Sequence, residues 1–553
     1  MNTDQLNGLM KAALGTDSAA LAAKKAAQEL LRLDDTNWSY YFSLYQRHAA
    51  GSSVEAVPIE IYESGRDTEG KAIAYPISLA PAEMLEHLRM VHYADLEKRS
   101  DEYASYSRKA ALWIKKMQAG SGSSLTRTSY LAARSGIPEA QVKIGSKGTD
   151  LFVDLPGGES IAIAEAQILQ SILDQKRGTF GRIIFHDILS TETRDSIHGL
   201  WRHLSLIDRT KSYDELVRTT TGLARFHETM QAFVPTLDEA GKITFDRVAP
   251  GGHALFAVEA LRAAYKPQLR PEVPEVDGST PLISAISNGE DISGTPDHLM
   301  VGWMIREQVP IALVSTEKTA VDLKAGLVSL LRSPGGDVSM AVTETVQAEA
   351  AGQGALFRQL AGSINTNLAL FNYQVLVPKI EKLVAEIGED EFMKIIAPDL
   401  ILNWKEQNGR KYLQLEGAMA STLMNLDRYW RKRYRQPLVH LIDVDRVQRT
   451  RFFSPIKSAF DFFMQFHSDR FSFDASTMRL RNLRPGKLPT ISLKDPATKD
   501  KYYQDVKTVL DVFENARIAD LDSLSIEGKV KLKGAVLRGV VELKADGTLT
   551  QKR

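Results

Sequence analysis

The sequence predicts an α/β protein with a helical N-terminal segment and a small C-terminal β region. Three observations carry that expectation. Short apolar runs recur from residue 111 onward, separated by stretches with helical spacing. Residues 1–105 are rich in helix formers. Residues 525–547 alternate apolar and polar side chains between recurrent glycines.

Taken in order, SAALAAKKAAQELLRL and AEMLEHLRMVHYADLEKRSDEYASYSRKA read as amphipathic helices. LWIKKM, RIIFHDIL, HLMVGWMI, PIALVS and PLVHLIDV are short apolar runs suited to buried strands. AEAQILQSILDQ, LVRTTTGLARFHETM and YQVLVPKIEKLVAEIG read as helices between them. Such alternation places helices on a sheet. SIEGKVKLKGAVLRGVVELKADG reads as short strands and tight turns, either a turn or two of a β-solenoid or a hairpin. LRPGKLPTISLKDPATKD has the proline and polar punctuation of a linker. The expected division is 1–105, a helical region; 106–485, the α/β core; and 486–553, a β-helix-like tail.

A chain of 553 residues is too long for one compact core. Lys plus Arg and Asp plus Glu both total 69, so no broad field favours nucleic acid or an anionic membrane. Cysteine is absent, which excludes disulfides, thiolate metal sites and cysteine nucleophiles. The N-terminus lacks the pattern of a signal peptide, and no apolar stretch approaches ~18 residues, so a cytoplasmic protein is expected. The histidine pairs of HGLWRH and EHLRMVH have a spacing that puts them on different helix faces, unlike zinc helices.

Chemistry concentrates in a few turns. After the apolar run ALWI comes MQAGSGSSLTR, residues 117–127. Gly120 and Gly122 would let backbone N–H groups approach an anion, and Ser121, Ser123 and Ser124 could add hydroxyls. The same composition suits a flexible linker, and no Lys-Ser/Thr follows as in a P-loop. Lys147 sits on a glycine-flanked turn, IGSKGTD, where it could supply a point charge to a phosphate. His253 follows two glycines in PGGH. Glu290 and Asp291, in ISNGEDISGTPD, follow an apolar run; carboxylates at a strand end are natural Mg²⁺ ligands. Residues 124–143 form an insert that could be a lid, with Arg127 reaching a phosphate.

In order and texture these segments resemble the UDP-glucose pyrophosphorylase family (UTP–glucose-1-phosphate uridylyltransferases) and the related UDP-N-acetylhexosamine pyrophosphorylases. The family's L-N-G-G-L-G-T loop falls on Met117 to Ser123, and its G-P-K turn on Gly145-Ser146-Lys147. Its uridine-contacting glutamine falls on Gln231. P-G-H-G matches Pro250 to His253, and N-x-D-N-L matches Asn288 to Ile292. D-x-K-G-G falls on Asp322 to Gly326, N-T-N-N on Asn365 to Leu368, and N-P-K on Asn403-Trp404-Lys405. Q-L-E-x-A-M-G matches from Gln414 to Met419, and P-V-K-x-x-x-D falls on Pro455-Ile456-Lys457 with Asp461. The match spans roughly residues 111–545.

The resemblance implies a Rossmann-like nucleotidyltransferase core with a mixed sheet and a C-terminal β-helix. It implies attack of a sugar-1-phosphate on the α-phosphorus of UTP, with Mg²⁺ as cofactor. Gln118, Ala119, Gly120, Ser121, Gly122 and Ser123 would cradle the nucleotide, Gln118 also reaching the base. Gln231, Gly252 and His253 would line the uridine. Lys147 and Lys405 would be catalytic, Lys147 holding the leaving phosphates and Lys405 the sugar phosphate. Asn288, Asn367, Glu416, Lys324 and Lys457 would bind the sugar side. Glu290 and Asp291 would hold the metal. Glu416 stands among Leu415 and Met419, where a carboxylate needs a partner. UDP-glucose is the first expected product, with UDP-N-acetylglucosamine or a broader set of UDP-sugars next. A non-catalytic UTP or UDP-sugar sensor and an assembly protein are the readings from other classes. The C-terminal β region could make a homo-oligomer.

Overall fold

The structure is a computed structural model. It describes residues 35–49, 59–61, 86–120, 122, 125–203, 224–231, 233–271, 280–319, 322, 325–332, 338–350, 352–407, 409–499, 501–544 and 549–552.

A large mixed sheet forms the centre. Across it run Met90–His92, Val439–Val444, Ile311–Glu317, Ser363–Asn372, Leu282–Asn288, Ala111–Met117, Arg182–Leu189 and Ala224–Met230. Ser363–Asn372 is antiparallel to both neighbours, while the last four strands run parallel to one another. Alternate side chains face two apolar layers. Trp113, Ile184 and Ile286 meet the helices Ala254–Tyr265, Tyr373–Ile387 and Met419–Tyr434. Leu112, Ile183 and Ala285 meet Ile163–Lys176 and His298–Arg306. Burial on both faces explains why these strands read as unbroken apolar runs.

Two of the expected elements change type. HLMVGWMI is the helix His298–Arg306, not a strand. Asp297 caps it by accepting from Leu299 N and Met300 N at 3.1 Å, and every residue from Leu299 to Ile305 is buried. A helix buried all round has the same apolar texture as a central strand. LVRTTTGLARFHETM contains the strand Ala224–Met230, parallel to Arg182–Leu189; residues 216–223 of that run lie outside the described residues.

The N-terminal region is helical at Asp35–Ala49, Tyr93–Glu97 and Ser100–Ser107. It also supplies two strands that propensity did not foretell. Ile59–Ile61 pairs with Leu327–Arg332, and Met90–His92 adds to the edge strand Val439–Val444. Arg89, with φ of 50°, breaks the predicted long helix just before Met90. SAALAAKKAAQELLRL lies outside the described residues.

The expected linker at 483–500 contains the strand Thr490–Lys494. It pairs in parallel with Leu521–Glu527, which pairs in parallel with Gly539–Lys544. Leu549–Lys552 closes this four-stranded sheet antiparallel, so the tail is not a simple hairpin. Behind it lies an apolar cluster with Phe460, Phe463 and Phe513, which also takes in Leu125 and Tyr130 from the 124–143 insert. That insert carries the helix Thr128–Ser135. Among the described residues no helix is long and apolar enough to cross a membrane.

Candidate active site

The four parallel strands Leu282–Asn288, Ala111–Met117, Arg182–Leu189 and Ala224–Met230 end side by side. Ligands of open α/β sheets bind beyond such carboxyl ends. A cleft there is lined by Met117, Gln118, Gly120, Gly122, Ser146, Lys147 and Glu290.

Gln118 turns the chain out of its strand. Its N donates to Ile188 O at 2.8 Å, and its Nε2 to Gly289 O at 3.2 Å and Gln167 Oε1 at 3.4 Å. Its Oε1 accepts from Ser146 Oγ at 2.9 Å. With 2% exposure and its amide committed, Gln118 is a strut joining three loops, and it does not reach for a base. A Cβ on Gly289 would stand 2.5 Å from Met117 O, so the loops close this tightly only around a glycine. Gly122 adopts φ of 64°, and a Cβ there would lie 2.7 Å from Lys147 Cγ. This glycine lets the loop rest directly on the lysine stem. Ala119 is buried and Gly120 exposed beside it; Ser121 and Ser123 lie outside the described residues.

Lys147 begins the short helix Lys147–Asp150, capped by Ser146 Oγ, which accepts from Thr149 N at 3.2 Å. Its Nζ donates to Ile456 O at 2.8 Å and lies 3.8 Å from Glu290 Oε1. Lys457 Nζ donates to the same carboxylate oxygen at 3.2 Å. Burial alone would raise the Glu290 carboxyl, but Lys457 and Lys147 overcome it and hold it down at about 2. Burial lowers Lys147, against the pull of Glu290, while Glu290 raises Lys457. The cluster is therefore two ammonium groups sharing one ionised carboxylate. Three residues distant in sequence meet there.

Asp291 is not among the residues lining this cleft. Its Oδ1 accepts from Ser293 N and Ser454 N, both at 3.0 Å, and the residue is 2% exposed. Burial raises it to about 6, with Lys116 opposing. It ties two loops together and is a poor candidate for the metal. Arg127 does not sit on a lid. It is 1% exposed, its Nε donates to Asp150 Oδ2 at 3.0 Å, and its Nη1 donates to Gly122 O at 3.0 Å and Leu125 O at 2.9 Å. It fixes the end of the loop from inside.

A second group faces the site from the antiparallel sheet of Leu400–Gln407, Arg410–Gly417, Phe233–Leu237 and Ile243–Pro250. Gln231 N donates to Leu189 O at 2.6 Å, next along the strand from the carbonyl that Gln118 uses. Its Nε2 lies 3.5 Å from Gly252 O. Gly252, with φ of 84°, packs so that a Cβ would meet Gly417 at 2.8 Å. His253 Nδ1 accepts from Met419 N at 3.0 Å, and burial lowers its imidazole to about 4. The ring is thus a neutral anchor for the helix Met419–Tyr434. Glu416 Oε1 accepts from Asn403 Nδ2 at 3.3 Å, and burial raises its carboxyl.

Lys405 is exposed two residues beyond Asn403, opposite Tyr412, on the face that carries Glu416. It joins this second group, and Lys457 is the lysine placed beside Lys147. Asn288 is half-buried at the end of its strand, opposite Met117. Asn367 sits at φ of 61° in a bulge where the register shifts between Val314 and Ser315, and its Oδ1 accepts from Asn365 Nδ2 at 2.9 Å. Lys324 lies outside the described residues. Its neighbour Asp322 receives Arg449 Nη1 and Nη2 at 2.9 and 2.7 Å.

Several contributors escaped sequence reasoning. Tyr40, from the N-terminal helix, donates its hydroxyl to Gly251 O at 2.7 Å and so braces the PGGH turn. Lys116 is fully buried and donates to Gly294 O at 2.6 Å, holding the loop that carries Glu290; burial lowers it to about 8. Glu344 is raised to about 7 by burial and stands where a Cβ on Gly326 would touch its Oε1 at 2.8 Å. A lysine inside an apolar strand was the one visible signal, in LWIKKM.

Asp187, opposite Lys116 in the sheet, accepts from Trp201 Nε1 at 2.9 Å. Burial raises it from 3.8 to about 7. The folded chain then holds a proton that the unfolded chain has released, so stability falls as pH rises from about 4 to about 7. Asp187→Asn is expected to flatten that part of the curve in denaturant titrations at several pH values. A wild-type slope retained in the variant would refute it.

Residues 282–538 match the family model described as UTP–glucose-1-phosphate uridylyltransferase. The match takes in a little under half of the 553 residues. It contains Glu290, Asn367, Lys405, Glu416 and Lys457; the loop at Gln118 and Lys147 precede it. Solved structures carry the fold over nearly the whole chain. The UDP-glucose pyrophosphorylase from Leishmania major is 16% identical with a TM-score of 0.62, covering 96% of this chain and 95% of that one. The UDP-glucose phosphorylase from Trypanosoma brucei is 17% identical with a TM-score of 0.63, covering 95% of each. A Leishmania major variant in complex with UDP-glucose is 16% identical with a TM-score of 0.61, covering 96% of this chain and 95% of that one. No curated protein sequence matches. The matched family is one of nucleotidyltransferases, and the match indicates a UTP–sugar-1-phosphate uridylyltransferase.

Proposed function

We propose that this uridylyltransferase forms UDP-glucose and pyrophosphate from UTP and glucose 1-phosphate. The observation that carries the reading is the Lys147–Glu290–Lys457 cluster under the Gly122 loop, at the carboxyl ends of the parallel strands. An oxygen of the sugar phosphate attacks the α-phosphorus of UTP. The bond from that phosphorus to the bridging oxygen breaks, and pyrophosphate leaves with the electron pair. The attacking oxygen is already anionic, so the chain need not remove a proton. Positioning and charge neutralisation do the rest.

In this reading the backbone at Gly120 and Gly122 receives the triphosphate, and Lys147 holds the departing phosphates. Lys457 takes the sugar phosphate in preference to Lys405. Gln231 and Gly252 contact the uracil, and Asn288, Asn367 and Glu416 contact sugar and ribose hydroxyls. Mg²⁺ fits Glu290, an ionised carboxylate lining the cleft; Asp291 is not part of that lining, and its Oδ1 is taken by two backbone N–H groups. Among the described residues no group of three His, Asp or Glu is poised for a metal, which suits an ion that takes one or two carboxylates plus phosphate oxygens. Bound there, Mg²⁺ would neutralise charge on the phosphates.

The test is pyrophosphate release from UTP and Mg²⁺ with a panel of sugar 1-phosphates. Glucose 1-phosphate is expected to give the highest kcat/KM. A preference for N-acetylglucosamine 1-phosphate, or equal rates across the panel, would overturn the assignment of the sugar.

A further inference from the structure

The loop from Glu290 to Gly294 has two aspects. Glu290 lines the cleft described above, and Ser293 lines a second cavity of about 210 Å³. Thr450, Arg451, Arg479, Arg481 and Asn482 also border it, and none of its lining residues is a carboxylate. Arg479 and Arg481 alternate along the strand Arg479–Asn482 and so share a face. Two of the arginines are held by carboxylates outside the lining. Arg479 Nη2 donates to Asp174 Oδ2 and Arg451 Nη2 to Asp297 Oδ2, each at 2.7 Å. Arg481 is exposed and makes no ion pair among the described residues.

Arg451 Nη1 also lies 3.7 Å from Glu97 Oε1, so Arg481 is the one of the three guanidinium groups left without a carboxylate among the described residues, and an anion in the cavity would pair it. Guanidinium is also the side chain best matched to phosphate oxygens. The space is well above the ~10–15 Å³ that one water needs. That accommodates a phosphate or a small phosphate ester.

We propose that this cavity is a second anion site, binding a phosphate group that is free or carried as a monoester on a small metabolite. Arg479 and Arg481 are its principal ligands, with the hydroxyls of Ser293 and Thr450 at its wall. The site is separate from the UTP cleft, and the inference does not depend on which sugar the enzyme uses. Its occupant would touch the strap that holds the loop of Glu290. Ser293 N and Ser454 N both donate to Asp291, and Ser454 Oγ donates to Thr450 O at 3.3 Å.

The experiment is calorimetric titration of the full chain, saturated with UTP so that the catalytic cleft is filled. Inorganic phosphate, glycerol 3-phosphate and glycerol are the titrants. Wild type is compared with Arg481→Ala and Arg481→Glu, whose exposed side chain leaves the core untouched. Binding of phosphate or glycerol 3-phosphate, weakened at least tenfold in Arg481→Glu and less in Arg481→Ala, supports the site. Tighter glycerol 3-phosphate than phosphate identifies a monoester ligand, and the reverse identifies free phosphate. Equal affinity in all three proteins, no heat from either anion, or equal binding of glycerol would overturn it. Turnover without added anion should be the same in the three proteins.

Discussion

Replacing Lys147 with alanine is expected to lower kcat/KM for UTP by about a hundred- to a thousandfold. That is the range seen when one preorganised charge or donor at a developing negative charge is removed. The lysine is held in place by Ile456 O and Glu290 and covered by Gly122, so its ammonium has little freedom to lose when substrate arrives. Lys147→Arg should not restore the rate, because a guanidinium on the same stem needs room that the Gly122 loop occupies. Pyrophosphate release kinetics, with UTP binding measured separately, check both variants. A Lys147→Ala enzyme within tenfold of wild type would remove Lys147 from the transition state.

The largest effect on stability is expected at Arg127. Arg127→Met leaves Asp150 buried without its cation and takes the donor from the carbonyls of Gly122 and Leu125. Breaking one side of a buried ion pair costs about 3–5 kcal/mol. Asp150 already lies above the usual carboxylate range through burial, against the pull of Arg127, so losing the arginine drives it further toward the neutral form. Adding Asp150→Asn should recover part of the loss by removing the stranded charge. Denaturant midpoints of the single and double variants measure this, and KM for UTP should rise in Arg127→Met. A destabilisation below about 1 kcal/mol, the ordinary cost of a substitution, would refute the buried-pair account.

Much of the sheet could be read directly because its strands are buried on both faces. Ala111–Met117, Arg182–Leu189, Ile311–Glu317 and Val439–Val444 all show the short apolar runs that such burial demands. The same rule misread His298–Arg306, since a fully buried helix loses its polar face. Met90–His92 was hidden inside a helical pattern because its strand character comes from pairing with residues 441–443, far along the chain.

The candidate site divides in the same way. Lys147, Glu290 and Lys457 stand in turns whose glycines and prolines mark them, and the fold brings them together. What Gln118, Asp291 and Arg127 do is decided by partners remote in sequence: Gln167 and Gly289, Ser454, Gly145 and Asp150. A residue type that suits a ligand also suits a strut, and only the fold separates the two. Tyr40 is a further case, since its bond to Gly251 spans 211 positions.

The exit of the loop at 117–127 is stitched to residues 504–506, far along the chain. Thr126 N donates to Gln504 O and Val506 N donates to Thr126 O, both at 2.9 Å, and Ser129 Oγ donates to Asp505 Oδ2 at 2.6 Å. Synthesis runs from the N-terminus, at about 5–20 residues per second. The loop at 117–127 thus emerges well over a hundred residues before its seam partner. For roughly 20 to 75 s, at those speeds, the nascent chain carries the loop without the segment that fixes it. The loop's exit is therefore fixed only once residues 504–506 have been made.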